Sequence, residues 1–149
     1  MDNEVQCKKD EEVLAEIYRN CQLALQSISN ILPEAEDEEI KKEMESEHEG
    51  YEKISGKASV IAKNRGIELK EPNPMKKMMM WGSIKMNTLT DNSRAHIADM
   101  MVQGTVMGIT ALRKTAGELV GVCDERILSL LNEMIKSEEE FEKKWKSYR

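Results

Sequence analysis

The sequence predicts an all-α protein, an antiparallel four-helix bundle with a long crossover, itself carrying a short fifth helix, between the second and third long helices. Three observations carry this. Apolar residues recur at alternating steps of four and three along most of the chain, the inward stripe of a packed helix. Only 4% of residues are aromatic and 34% are charged with both signs interspersed, the composition of solvated helices. Caps and breakers fall between the periodic stretches.

The first helix is expected from an N-cap at Asp10 to about Ile31, where Pro33 stops it, with a seam of Leu14, Ile17, Cys21, Ala24, Ile28 and Ile31. The second runs from Asp37 to Asn64 and Arg65, and Gly66 is placed to take the left-handed conformation that closes a helix. Pro72 and Pro74 punctuate the next stretch, and Asn73 with Pro74 caps a shorter helix from Met75 to Leu89. Thr90 to Ser93 form a break and a new cap. The third long helix follows to about Leu119, closed by Gly117 or Gly121, and the fourth runs from Asp124 to the C-terminus. The apolar spacing also continues from Met75 to Ala111, so a single kinked helix is the alternative that the 91–93 cap must exclude. Each long helix would span about 35 to 45 Å, and the second connection is long enough to travel that length.

At 149 residues the chain is expected to form one domain, residues 1–149, with a core that needs no metal or disulfide staple. A formal charge of −6 and no basic stripe argue against nucleic acid. Cys7, Cys21 and Cys123 are an odd number without CxxC spacing, which fits reduced thiols and a cytoplasmic location. The polar, acidic start is no secretory signal, and no apolar run approaches the roughly 18 residues of a membrane span. Phosphate-cradling glycine loops, nucleophile elbows and dinucleotide fingerprints are missing, so catalysis of those kinds is not expected.

Two glutamates break the apolar seams. Glu47 interrupts Ile40, Met44, Tyr51, Ile54, Ala58 and Ile61, and Glu138 interrupts Ile127, Leu131, Met134, Phe141, Trp145 and Tyr148. A carboxylate in a seam is costly unless protonated, hydrogen-bonded or bound to a cation. Under the crossover topology both lie about ten residues, about 15 Å, from the same end, in one layer with Cys21 and with Gln103 or Gly104. In a simple up-down bundle Glu138 would sit about a turn deeper. Two acids so close would raise one pKa, which a shared proton, hydrogen bonds from Tyr18 or Tyr51, or a divalent cation relieves.

With its four helices, crossover and interior acids, the chain resembles the ferritin-like superfamily, which includes rubrerythrins and other di-metal carboxylate bundles. That resemblance implies a dinuclear iron or manganese site built from glutamates and Glu-x-x-His pairs. Glu45 to His48 is one such pair, although Glu45 points away from the seam and Phe141 stands where a second histidine would. Glu47, His48, Tyr51, Glu138 and Glu142, with Gln103 as an alternative to Glu142, are the candidate metal ligands. The stretch from Trp81 to Ile109, WGSIKMNTLTDNSRAHIADMMVQGTVMGI, is similar to an uncharacterised group of bacterial proteins and implies no activity.

Other patterns have simpler accounts. His48, Glu49 and Glu52 spell HExxE, which lacks the second histidine of a zinc protease, and with Glu45 they read as a solvated face. His96 and Asp99 could orient an imidazole, or belong to an exposed polar stripe. Eight of the 11 methionines, clustered from Met75 to Met107, suit copper(I) or a peptide groove, yet core packing explains them more cheaply. Lys76, Lys77, Lys85 and Trp81 could touch a membrane surface. Gly104 and Gly108 form GxxxG, and Val102, Val106 and Ile109 add a second apolar side to the third helix, which predicts a homodimer through that face. The expected function is a dimeric binding or interaction protein with a vestigial or mononuclear polar core site. The alternative is an iron or manganese carboxylate protein acting on oxygen or peroxide or storing metal. Whether the chain is an enzyme stays open.

Overall fold

The computed structural model describes residues 3–71, 91–118 and 124–149. They form four long helices and, among the described residues, no strand: α1 (Asn3–Ile31), α2 (Glu38–Arg65), α3 (Arg94–Glu118) and α4 (Glu125–Lys146), with a 3-10 turn at Leu32–Glu34. The shorter helix expected over Met75–Leu89, and the methionines and lysines within it, lie outside the described residues.

Local chemistry accounts for most boundaries. Asp37 caps α2, accepting from the Glu39 and Ile40 amides at 2.9 and 3.2 Å. Gly66 ends it at φ 66°, and the Ile67 amide reaches back to the Ala62 carbonyl at 2.8 Å. The Ser93 hydroxyl caps α3 by accepting from the His96 amide at 3.3 Å, and residues 91–93 are not helical, so α3 starts afresh there. Asp124 caps α4 through the Arg126 amide at 2.9 Å. Gly117 lies inside α3, and Gly121 is outside the described residues.

α1 departs from expectation. It begins at Asn3, and Asp10 is an interior helix residue, 1% exposed, rather than an N-cap. Its carboxylate accepts from Arg65 at the end of α2 at 2.9 Å and from the Asp124 amide at the start of α4 at 3.4 Å. Those tertiary partners replace the local cap, and no proline or glycine in 3–9 stops the helix earlier.

The seams bury as their spacing predicts. Leu14, Ile17, Cys21, Ile28 and Ile31 of α1 meet Ile40, Met44, Ile54 and Ala58 of α2, Ile97, Met101 and Leu112 of α3, and Ile127, Leu131, Met134 and Trp145 of α4 in one core. Each large side chain so buried contributes about 1.5–3 kcal/mol. At one end Arg94, at the start of α3, donates to Asp37 before α2 at 2.7 Å and stacks over Tyr148 beyond α4 at 5.6 Å. Arg149 bonds Asp99 there at 3.0 Å. At the other end Arg65 joins Asp10 and Asp124.

The face expected to dimerise is corrected. Val102 and Ile109 are 6% and 9% exposed, turned into the chain's own packing, and only Val106 of the three, at 38%, meets solvent. Thr105, 6% exposed, bonds the Met101 carbonyl at 2.7 Å and so joins the inward side that widens the apolar stripe of α3.

Candidate functional site

Four polar residues of α2 enter the interior at steps of four: Glu43, Glu47, Tyr51 and Ser55, all buried. A four-residue step keeps side chains on nearly one face, so this polar ladder runs beside the apolar seam. α4 supplies Glu138 and Trp145 opposite it.

The lower part of the ladder is bonded. Tyr51, 3% exposed, donates its hydroxyl to Glu138 Oε2 at 2.9 Å, and its ring lies 5.5 Å from that of Phe141. Gly108 of α3 faces the same carboxyl: a Cβ there would stand 2.7 Å from Oε2. Burial pushes the Glu138 carboxyl up to about 7, and the Tyr51 hydrogen bond holds it back from rising further. Cys21 of α1 packs 4.0 Å from the Met134 sulfur, and burial, then the Glu138 charge, pushes its thiol up to about 12. A thiol held protonated is no nucleophile.

The upper part differs. Glu47 is 1% exposed, and neither of its oxygens has a hydrogen bond of ordinary length and angle. Burial drives its carboxyl up to about 9; the neighbouring Trp145 indole N–H favours the charged form, while Glu43 one turn earlier opposes it. The indole N–H is likewise buried and falls short of hydrogen-bond geometry with Glu47. Glu43, 6% exposed, is paired at 2.8 Å with Lys144, which is itself exposed.

The two seam acids are both interior, as expected, but they are staggered. Glu47 neighbours Trp145, while Glu138, about 10 Å earlier along α4, bonds Tyr51, one turn past Glu47 on α2. No hydrogen bond joins the two carboxyls. Tyr51 lies in the field of both, which pushes its hydroxyl pKa up, burial contributing most. Cys21 belongs to the Glu138 level, as the counting predicts. On α3 the residue at that level is Gly108, not Gly104 or Gln103; Gly104 is exposed with open space beside it, and Gln103 bonds Asp99 at 3.1 Å.

The remaining candidate ligands stand apart. His48 lies on the outer side of α2, with Nδ1 2.8 Å from Glu52 and Nε2 3.4 Å from Ser29 of α1. Glu142 is partly exposed and pairs with Lys146 at 3.5 Å. Glu45, Glu49 and Glu52 are exposed. Among the described residues no three His, Cys, Asp or Glu side chains converge as a metal site requires. The ligand set implied by the family resemblance therefore does not fit: carboxyl groups are present, but the histidine faces outward and the acids do not bridge. His96 and Asp99 are also not a pair, since Asp99 bonds Gln103 and Arg149, and the nearest acid to His96 is Asp91 at 4.0 Å.

Sequence reasoning missed Glu43, Ser55 and the Trp145 N–H. Glu43 had a usable signal, the four-residue step to Glu47. Ser55 was hidden by its size; it accepts from Gln22 of α1 at 2.9 Å. The arrangement can hold protons on buried carboxyls and a phenol, and it provides no nucleophile poised against a base. No helix among the described residues is long and apolar enough to cross a membrane.

The fold and site define an all-helical bundle with interior acids. Set against family models, curated proteins and solved structures, the chain gives no match.

Proposed function

We propose that the chain is a cytoplasmic binding or interaction protein, a homodimer built on a ferritin-like bundle whose interior acids are a vestigial polar site. The crossover topology draws support from the ends: Arg94 against Asp37, and Arg149 against Asp99, group the starts of α2 and α3 with the ends of α1 and α4. That grouping makes α2 and α3 run the same way and requires a connection as long as the bundle.

The observation that carries the functional reading is the Tyr51 to Glu138 hydrogen bond. It engages from within the protein one oxygen of a carboxyl that a metal protein would keep for its ion, while Glu47 lies a turn away beside an indole. One observation favours the runner-up, an iron or manganese carboxylate protein: both oxygens of Glu47 and Oε1 of Glu138 are buried and unbonded.

Metal analysis of untagged protein decides between them. The bundle reading expects no stoichiometric transition metal and no change of stability on adding iron(II) or manganese(II). A full equivalent of metal, lost in both Glu47→Ala and Glu138→Ala, would overturn it in favour of the runner-up.

A further inference from the structure

From Met100 to Leu112 α3 carries no charged residue, in a chain of which 34% is charged. Its inward side accounts for Met101, Val102, Thr105, Ile109 and Leu112, all buried. A second stripe remains: Met100, Gly104, Met107 and Ala111, again at steps of four, three and four. Met107 is 67% exposed, the largest value among the exposed large hydrophobic side chains of the described residues, and a Cβ on Gly104 would meet nothing within 4 Å. An uncharged helical stripe with a protruding methionine beside a bare backbone is a surface shaped for another helix.

The stripe is complementary to itself. A two-fold axis midway between Gly104 and Met107 sets Met107 of each copy opposite Gly104 of the other and Met100 opposite Ala111, large against small at all four places. The same operation brings Asp99, at one end of the uncharged run, toward Arg113 and Lys114 at the other end of the second copy. Asp99 keeps Arg149 and Gln103, and Arg113 keeps Glu139, within the chain, so the contact open across the rim is the exposed Lys114 against the 43% exposed Asp99 carboxylate. A symmetric dimer needs this self-matching of size and sign in one patch.

We propose that two copies of the chain pair antiparallel through the Met100, Gly104, Met107 and Ala111 face of α3, each Met107 seated over the Gly104 of its partner. This rests on the homodimer in the functional reading and names its face, which differs from the Val102, Val106 and Ile109 side. Gly104 and Met107 are exposed and Met100 and Ala111 half-buried, Met100 resting partly on the core, so this stripe keeps surface open to pairing, whereas Val102 and Ile109 are taken by the chain's own core.

The test is sedimentation of the full chain at micromolar concentration, with circular dichroism to confirm folding. Wild type should sediment as two chains. Met107→Glu and Gly104→Arg, both at exposed positions, should keep their helicity and weaken association by roughly tenfold or more, since each places buried like charges near the axis. Val60→Glu, at an exposed position of α2, should leave the dimer intact. A dimer that persists in both α3 variants would overturn the face while leaving the homodimer standing. A wild-type monomer would overturn both.

Discussion

The Glu138 carboxyl occupies the notch that Gly108 leaves on α3, with Oε2 2.7 Å from where a Cβ would stand. The missing side chain lets α4 bring an acid against the α3 backbone and still reach Tyr51 on α2. Gly108→Ala must push that carboxyl off its hydrogen bond, and overpacking of this kind costs about 1–3 kcal/mol, more than the helix-propensity gain of roughly 1 kcal/mol. Gly56→Ala on α2, with open space around it, should instead gain about 0.5–1 kcal/mol. Opposite signs in urea unfolding are expected; a stabilising Gly108→Ala would refute the close contact.

Removing the phenol should expose the coupling directly. Tyr51→Phe leaves a second Glu138 oxygen buried and unbonded, at a cost of about 1–3 kcal/mol. In Glu138→Leu the same substitution should cost much less. A double-mutant cycle with no coupling would dismiss the bond.

Stability should fall as pH rises through neutrality. The folded-state carboxyls of Glu138 and Glu47, at about 7 and about 9, lie above their ordinary value of 4.5, so the folded protein binds protons that the unfolded chain has released. Their contribution is complete below about pH 4.5 and disappears as pH passes through both folded values. For Glu138 alone the shift is worth on the order of 3 kcal/mol. Asp37 and Asp124, held below the ordinary carboxylate range by hydrogen bonds from Arg94 and Arg126, give the opposite trend only under strong acid. Urea midpoints measured from pH 5 to pH 9.5 should decline, and Glu47→Gln should flatten the upper half; a midpoint constant across that range would rule this out.

Glu47→Leu should stabilise the protein by about 1–4 kcal/mol, because an apolar side chain of similar volume removes a buried carboxyl without a bond. Calorimetry at pH 8 reads this most clearly. A destabilised variant would mean that Glu47 has a partner it cannot lose.

At the far end, Asp10→Ala should cost about 1–3 kcal/mol, since it strips Arg65 of a buried partner and leaves the Asp124 amide short of an acceptor. Asp37→Ala, a surface cap, should cost about 1 kcal/mol. If chemical unfolding ranks the two in reverse, Asp10 is not the lock between α1, α2 and α4.

Much of this was legible from spacing. Asp37, Gly66, Ser93 and Asp124 were readable because cap chemistry is local, and the burial of Glu47 and Glu138 because a seam position is buried whatever residue fills it. The start of α1 was not, because Asp10 takes its partners from residues far along the chain. Helix periodicity fixes which side a residue faces far better than how two helices slide past each other, so the stagger of Glu47 against Glu138 escaped a count from the ends. The side of α3 that faces solvent escaped for a related reason: Met107 and Val102 are equally apolar, and only packing tells them apart.

The central claim is that the interior acids are held by protons and protein groups. Carbon-13 NMR titration of the side-chain carboxyls, with Glu47→Gln and Glu138→Gln for assignment, tests it most directly. The expected result is Glu47 protonated at pH 7 and titrating near pH 9, with Glu138 half-protonated near pH 7. Both carboxyls ionised at pH 5, shifting or broadening together on addition of manganese(II), would contradict it.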